Sequence, residues 1–214
     1  MGKDQSHWLI GALRQHTRVA RAERISRSLV MVERKDLPPA IVGILSANPV
    51  TCADLEPLLS GEPQPAMIVN IPTRASWTGE ALEKLAAEGI AFGKMYDLYR
   101  GLNQDDNLSN YQNPEYYFVE RIIDQHRNVA LQERRSDRVY RITRYVGPAL
   151  VIALSQDYEV TADVVRTVYA DHAPFDVLLK TNPYGRISQQ AREAADKLGI
   201  QVVEQDELHK VLAS

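Results

Sequence analysis

The sequence predicts an α/β protein assembled from two tandem copies of one unit, residues 1–107 and 108–214. Two observations predict it. A polar block recurs at a fixed spacing, and helix-like and strand-like segments follow one another in the same order on both sides of the midpoint. The block is Gln15-His16-Thr17-Arg18-Val19-Ala20-Arg21-Ala22-Glu23-Arg24-Ile25-Ser26, and 110 residues later Gln125-His126-Arg127-Asn128-Val129-Ala130-Leu131-Gln132-Glu133-Arg134-Arg135-Ser136. Seven of these twelve pairs are identical, where ordinary composition gives about one. The same spacing relates Arg34 to Arg144, Pro38 to Pro148, Ala81 to Ala191, Gly89 to Gly199 and Leu102 to Leu212. Between these blocks the residue matches suggest slips of one position: Ala53-Asp54 pairs with Ala162-Asp163, and Pro72 with Pro183.

In the second copy, Asn113-Pro114-Glu115 opens a helix, with proline and an acid in the first turn. Tyr117, Phe118, Ile122 and Ile123 form its predicted apolar stripe. Val129–Glu133 reads as a strand, Arg135–Arg138 as a turn, and Val139–Tyr145 as a half-buried strand of period two that Gly147-Pro148 ends. Ala149–Leu154 is a continuous apolar run, the mark of a strand covered on both faces. A helix follows from Thr161 to about Ala170, then a buried strand over Phe175–Leu179. After the loop Asn182–Gly185, Ser188 caps a helix that Gly199 stops. Ile200–Val203 is the last strand, and Asp206 caps a short helix through Leu212.

The first copy repeats the order. It has a helix over Trp8–Gln15, strands at Val19–Glu23, Leu29–Glu33 and Ala40–Leu45, and a helix from Thr51. Strand Met67–Ile71, a helix from Thr78, strand Ile90–Phe92 and a helix over Tyr96–Leu102 complete it. The polar stretch 103–110 reads as the linker.

Composition narrows the class. A content of 44% hydrophobic and 25% charged residues is that of an ordinary globular protein. No apolar run nears the roughly 20 residues of a membrane span. Met1-Gly2-Lys3-Asp4-Gln5 lacks an apolar signal core, and the single Cys52 forms no internal disulfide, so a cytoplasmic location is expected. One cysteine with scattered histidines gives no zinc spacing, and no cofactor or metal is expected. The net charge of −3 is unevenly spread: residues 10–35 carry seven basic against two acidic groups, and residues 121–145 seven against three. Nearly all of that basic charge is arginine, whose planar fork suits phosphate and carboxylate.

The second half of each copy resembles the C-terminal part of Mrr-type restriction endonuclease domains. The residues that carry the likeness are Glu159–Val165, Phe175–Leu179, Ile187-Ser188 with Ala191–Ala195 and Leu198–Ile200, and Asp206-Glu207-Leu208, and more weakly 49–102. The resemblance implies two restriction-endonuclease-like αβββαβ units with mixed sheets, related by a pseudo-two-fold axis. It also implies an acid on the second core strand and Glu-x-Lys or Gln-x-Lys on the third, holding Mg²⁺. The third strands here, Val151–Gln156 and Val42–Ala47, carry no such pair. Asp157 and Glu159 lie past the strand without a lysine beside them, and Asp137, which could replace the second-strand acid, has Arg27 as its counterpart. Both nuclease centres are expected to be degenerate.

The leading expectation is therefore a non-catalytic protein that binds nucleic acid or associates with nucleic-acid machinery. Its candidate contacts are His16, Arg24, Arg27, His126, Arg134 and Arg138. In the competing reading of the same block, the histidine and glutamine cap the first helix and the Glu and Arg pair across the hairpin. Two other functions stay open: an adaptor that binds a protein partner without nucleic acid, and a Mg²⁺-dependent nuclease displaced to Asp137, Asp157 and Lys180. The loop holding Asn182 and Tyr184, before Ser188, occupies the place where α/β proteins bind ligands, but without a phosphate-binding fingerprint it reads as a surface turn.

Overall fold

The structure, a computed structural model, describes residues 6–104 and 106–214. Met1–Gln5 and Asp105 of the predicted linker lie outside the described residues. The chain forms two compact units, Met1–Asn113 and Pro114–Ser214, each a mixed α/β layer structure.

The first unit runs α1 (Ser6–Leu13), β1 (Val19–Arg24), β2 (Leu29–Arg34), β3 (Leu37–Leu45), α2 (Cys52–Leu59), β4 (Met67–Asn70), α3 (Gly79–Ala87), β5 (Ala91–Gly93) and α4 (Met95–Gln104). Its sheet has the order β1-β2-β3-β4-β5, antiparallel through β3 and parallel beyond. One face packs Leu9 and Leu13 of α1 and Leu98 and Leu102 of α4 on Val30, Val42 and Val69. The other packs Leu55 and Leu58 of α2 and Leu82 and Leu85 of α3 on Ile68 and Leu29.

The second unit runs α5 (Pro114–Asp124), β6 (Val129–Ser136), β7 (Val139–Arg144), β8 (Leu150–Ser155), β9 (Glu159–Val160), α6 (Ala162–His172), β10 (Val177–Lys180), β11 (Arg186–Ile187), α7 (Gln189–Leu198), β12 (Gln201–Val203) and α8 (Leu208–Ala213). Its main sheet has the order β6-β7-β8-β10-β12 with the same strand directions as the first. Alanines of α7 and Val165 of α6 pack on Val139, Ala153 and Leu178.

The pairings of the two sheets correspond at a constant spacing of 110. Val19 faces Arg34 and Val129 faces Arg144, each followed by the same register shift. Val42 faces Met67 and Ile152 faces Val177. The β9–β11 pair, which sequence reading missed, joins Val160 to Ile187, and the first unit has the single bridge Val50–Trp77 at the same place. The slips suggested at Ala53-Asp54 and Pro72 are therefore absent from the backbone; those identities are coincidental neighbours in connections of equal length. The helix signals repeat as well. Thr78 and Ser188 accept from the N–H of Ala81 and Ala191. Gly89 and Gly199 end α3 and α7 with φ of 65° and 70°, a left-handed conformation that disfavours side chains.

Four expectations shift. The inward stripe of α5 is Tyr116, Val119 and Ile123, one step from the predicted one, and leaves Tyr117 and Phe118 exposed. β6 extends to Ser136, which shortens the turn to Asp137-Arg138. The last helix is preceded by a reciprocal cap between Glu204 and Glu207, not by Asp206. Within the stretch predicted as a linker, Leu108 is buried in the first core, and Tyr111 just beyond it is buried there too and donates to Asp97 at 2.7 Å.

Candidate functional site

The recurrent Gln-His block shapes the connection from first helix to first strand. His16 N–H donates to Leu13 O, and Val19 N–H donates to His16 O; His126 makes the same pair of bonds with Ile123 and Val129. In both, imidazole Nδ1 accepts from the backbone N–H two residues on, Arg18 or Asn128, at 3.3 Å. Each ring then rests on a side chain of the last helix: His16 stacks on Tyr99 at 5.2 Å, and His126 lies 5.7 Å from His209. Burial pushes the His16 imidazole below its ordinary pKa, against a backbone hydrogen bond at Tyr99 that raises it.

Arg34 and Arg144 are equally structural. Both are buried, and each donates through Nε to the carbonyl four residues on, Pro38 O at 2.7 Å and Pro148 O at 2.8 Å. Each also reaches a carbonyl distant in sequence, Asp106 O beyond α4 at 2.6 Å or Val211 O in α8 at 3.2 Å. Arg34 thereby ties the second strand of its unit to the chain after α4, and Arg144 ties its own to α8.

The charged cluster of the second unit sits where the first turn of α5 meets the β6–β7 turn and the ends of β8 and β10. Arg138 donates to Glu115 Oε1 at 2.6 Å, and the Glu115 side chain is only 5% exposed. Thr181 Oγ1 lies 2.5 Å from the same carboxylate oxygen and 3.0 Å from Ser155 O, so its one proton serves either. Arg134 donates to Glu120 Oε1 at 3.0 Å, and the Tyr140 hydroxyl donates to the same oxygen at 2.9 Å. The Arg134 guanidinium also lies over the rings of Tyr116 and Tyr140, at 4.3 Å and 5.3 Å. Asp137, 2% exposed, accepts a long bond of 3.4 Å from the Tyr116 hydroxyl. Burial pushes both phenols upward, so they remain neutral donors. Burial also works against the charge of Arg138, but the Glu115 and Asp137 carboxylates offset it and the guanidinium stays protonated. His172, at the end of α6, is pushed down by burial, with Asp137 and Asp171 acting in the opposite sense.

At the ends of β8 and β10, Ser155 Oγ donates to Asp157 at 2.5 Å. Buried Lys180 donates to Tyr184 O at 2.7 Å and also to Asn182 O. Lys180 therefore holds its own loop in shape, and Asp157 closes on a serine. Among the described residues no group of three or more His, Cys, Asp or Glu side chains could hold a metal ion. Glu115, whose side chain is buried in the cluster, already bonds a guanidinium and a hydroxyl. The donor set does not fit the Mg²⁺ that a restriction-endonuclease-like fold would imply.

The six residues singled out from the sequence do not gather on one surface of either unit. Arg134 and Arg138 meet over Tyr116, but His126 lies about 15 Å away at the far end of α5. In the first unit Arg24 and Arg27 share the hairpin end and His16 lies at the opposite end of α1. Arg24 and Arg27 are exposed, and Arg24 donates to Ser26 O at 3.2 Å. Sequence reading missed Glu115, Tyr116, Glu120, Tyr140 and Thr181. The available signal was the 3.6-residue period, which puts Tyr116 and Glu120 on the inward side of α5 once Val119 and Ile123 are seen as core. The positions 110 residues earlier carry none of this chemistry: Ser6, Ile10, Val30 and Ile71 replace Tyr116, Glu120, Tyr140 and Thr181.

No protein-family model, curated protein or solved structure matches the chain. Among the described residues no helix is long and apolar enough to cross a membrane.

Proposed function

We propose that the chain is a non-catalytic protein that binds nucleic acid, or works with nucleic-acid machinery, built by duplication of a degenerate restriction-endonuclease-like domain. The observation that carries this reading is the contrasting use of arginine. In the second unit Arg134 and Arg138 neutralise carboxylates of their own chain. In the first unit Arg14, Arg18, Arg21, Arg24 and Arg27 are exposed, with Glu23 the acid among them. A buried carboxylate held by a fixed guanidinium is closed to a divalent cation, which supports loss of catalysis. Exposed arginines on a turn and edge strand suit phosphate contact without sequence readout. The constant spacing of 110 residues between equivalent pairings supports the duplication.

The test is fluorescence anisotropy with labelled DNA across a salt series, with gel analysis of the same DNA in Mg²⁺ or Mn²⁺. Binding at low salt that falls steeply as salt rises, with the DNA intact, is the expected result. Undetectable binding at low salt overturns the nucleic-acid part, and metal-dependent cleavage overturns the non-catalytic part. The second reading, an adaptor for a protein partner, is favoured by Tyr117 and Phe118, exposed side by side on α5.

A further inference from the structure

We infer that the first unit binds single-stranded nucleic acid along a strip that runs from α4 to the histidine turn. Tyr96 stacks on an unpaired base, and Arg100, Arg18 and Lys35 hold phosphates along the strip. The inference rests on the nucleic-acid reading above and adds which strand form is bound, and where.

Every step of the strip is fixed by helix geometry or by a contact. Tyr96 is the second residue of α4 and is 69% exposed. The Arg100 guanidinium, one turn on, lies over its ring at 5.8 Å. Tyr99 follows Tyr96 by three residues, the spacing that makes neighbours on a helix surface. The Tyr99 ring stacks on His16 at 5.2 Å, with 20° between the planes. His16 Nδ1 accepts the N–H of Arg18 at 3.3 Å, and Arg18 O accepts the N–H of Lys35 at 2.8 Å. Those two bonds set the start of β1 and the end of β2 beside the ring pair. The side chains of Arg18 and Lys35 are both exposed there.

The two tyrosines of the strip differ in task. Tyr99 is partly buried against the first core and backs the histidine. Tyr96 turns its ring to water with a guanidinium beside it. An aromatic face among basic side chains is the combination that stacks bases and tracks a phosphate backbone. The acid next in sequence to Tyr96 does not oppose this. Asp97 is 6% exposed and accepts from the Tyr111 hydroxyl at 2.7 Å and from Asn113 at 2.9 Å. Asp36, exposed beside Lys35, marks the far end of the strip.

Single strands are selected because a duplex hides the faces of its bases, leaving the Tyr96 ring nothing to stack on, whereas the basic groups alone would accept either form. The second unit does not offer the same surface. Its ring contact persists, with His126 lying 5.7 Å from His209. At a spacing of 110, however, Asp206 stands at the place of Tyr96, Asn128 at that of Arg18 and Tyr145 at that of Lys35, and only Lys210 keeps the charge of Arg100.

The experiment titrates the full chain with a short labelled oligothymidine and with a duplex of the same length at low salt, following anisotropy. Oligothymidine is expected to bind more tightly than the duplex. Tyr96→Ala should lower oligothymidine affinity about tenfold and leave the duplex nearly unchanged. Tyr96→Phe should keep most of the affinity, because the stacking face remains. Arg18→Ala with Lys35→Ala should flatten the slope of log affinity against log salt by about 1.4. Irradiation of an iodouracil-substituted oligothymidine on the parent should cross-link Tyr96, located by mass spectrometry of the digest. Unchanged circular dichroism and tryptophan emission establish that the variants are folded. If the duplex binds as tightly as oligothymidine, or Tyr96→Ala binds like the parent, this inference fails while nucleic-acid binding stands; if neither probe binds, both fail. A dimer in sedimentation that Tyr96→Ala dissolves would make the strip a contact between copies and overturn the inference.

Discussion

The stretch from α1 to β2 and its counterpart from α5 to β7 share one backbone and use it for opposite purposes. In both, a short helix turns through a histidine into an edge strand, and a buried arginine in the next strand donates to the carbonyl of the proline four residues on. In the second unit the space between helix and hairpin is filled by a polar network of Glu115, Glu120, Arg134, Arg138 and two tyrosines. In the first unit the corresponding inward positions are Ser6, Ile10 and Val30, and the remaining arginine, Arg24, is exposed. What the units hold in common is what the backbone needs: turns, caps and carbonyl partners. The charged chemistry differs because in the second unit Glu120 and two rings receive Arg134, whereas Arg24 at the equivalent position lies exposed on the hairpin.

The widest gap between the units is expected at Arg134 and Arg24, which occupy equivalent positions. Arg134→Ala removes an ion pair and two ring contacts from a mostly buried place and leaves Glu120 with a tyrosine alone. It should cost about 3 kcal/mol in urea unfolding followed by far-ultraviolet circular dichroism. Arg24→Ala should cost about 0.5 kcal/mol or less, as an exposed substitution does. Equal costs would mean that the second unit's cluster is decoration on a frame that does not depend on it.

Arg34 and Arg144 should break the comparison the other way, by behaving alike. Each alanine variant removes a buried guanidinium and the two backbone-carbonyl bonds it makes, worth about 2 kcal/mol in either unit. Trp8 and Trp77 both belong to the first unit, so tryptophan emission reports its unfolding and circular dichroism reports both. A loss at Arg34 well above the loss at Arg144 would show that the common bonds carry unequal loads.

The elements were legible because local signals mark them: threonine and serine before α3 and α7, glycine after each, and a continuous apolar run for the central strand β8. The pairing of Arg34 with Pro38 and of Arg144 with Pro148 was visible as a repeated match, but the bond behind it was not. Nothing in a sequence shows which carbonyl a buried guanidinium will reach. The polar cluster was hidden for a different reason. Its members come from α5, β6, β7 and the end of β10, so its existence depends on sheet order. The two exposed aromatics of α5 also drew the predicted stripe one residue off, which moved Tyr116 and Glu120 to the wrong side. Arg134 and Arg138 were picked out by charge; the acids that receive them were read as ordinary helix surface.

The smallest expected effect concerns the shared histidine turn. His16 Nδ1 accepts a backbone N–H, a role open only to the unprotonated nitrogen, and burial holds its pKa below the ordinary value. A histidine whose pKa is lower in the folded than in the unfolded chain binds its proton more readily when unfolded. Its turn therefore has full strength above the unfolded value of about 6.5 and weakens as pH falls from there toward the folded value. His172, pushed the same way, adds to the slope in the second unit. His16→Asn supplies an amide oxygen that can accept the Arg18 N–H and does not titrate. Following the first unit by tryptophan emission, the parent should lose more urea resistance between pH 7.5 and 5.5 than His16→Asn loses. A variant that tracks the parent at every pH would leave the histidine with a role in shape alone, and the turn would then be common to both units for its geometry and not for its proton.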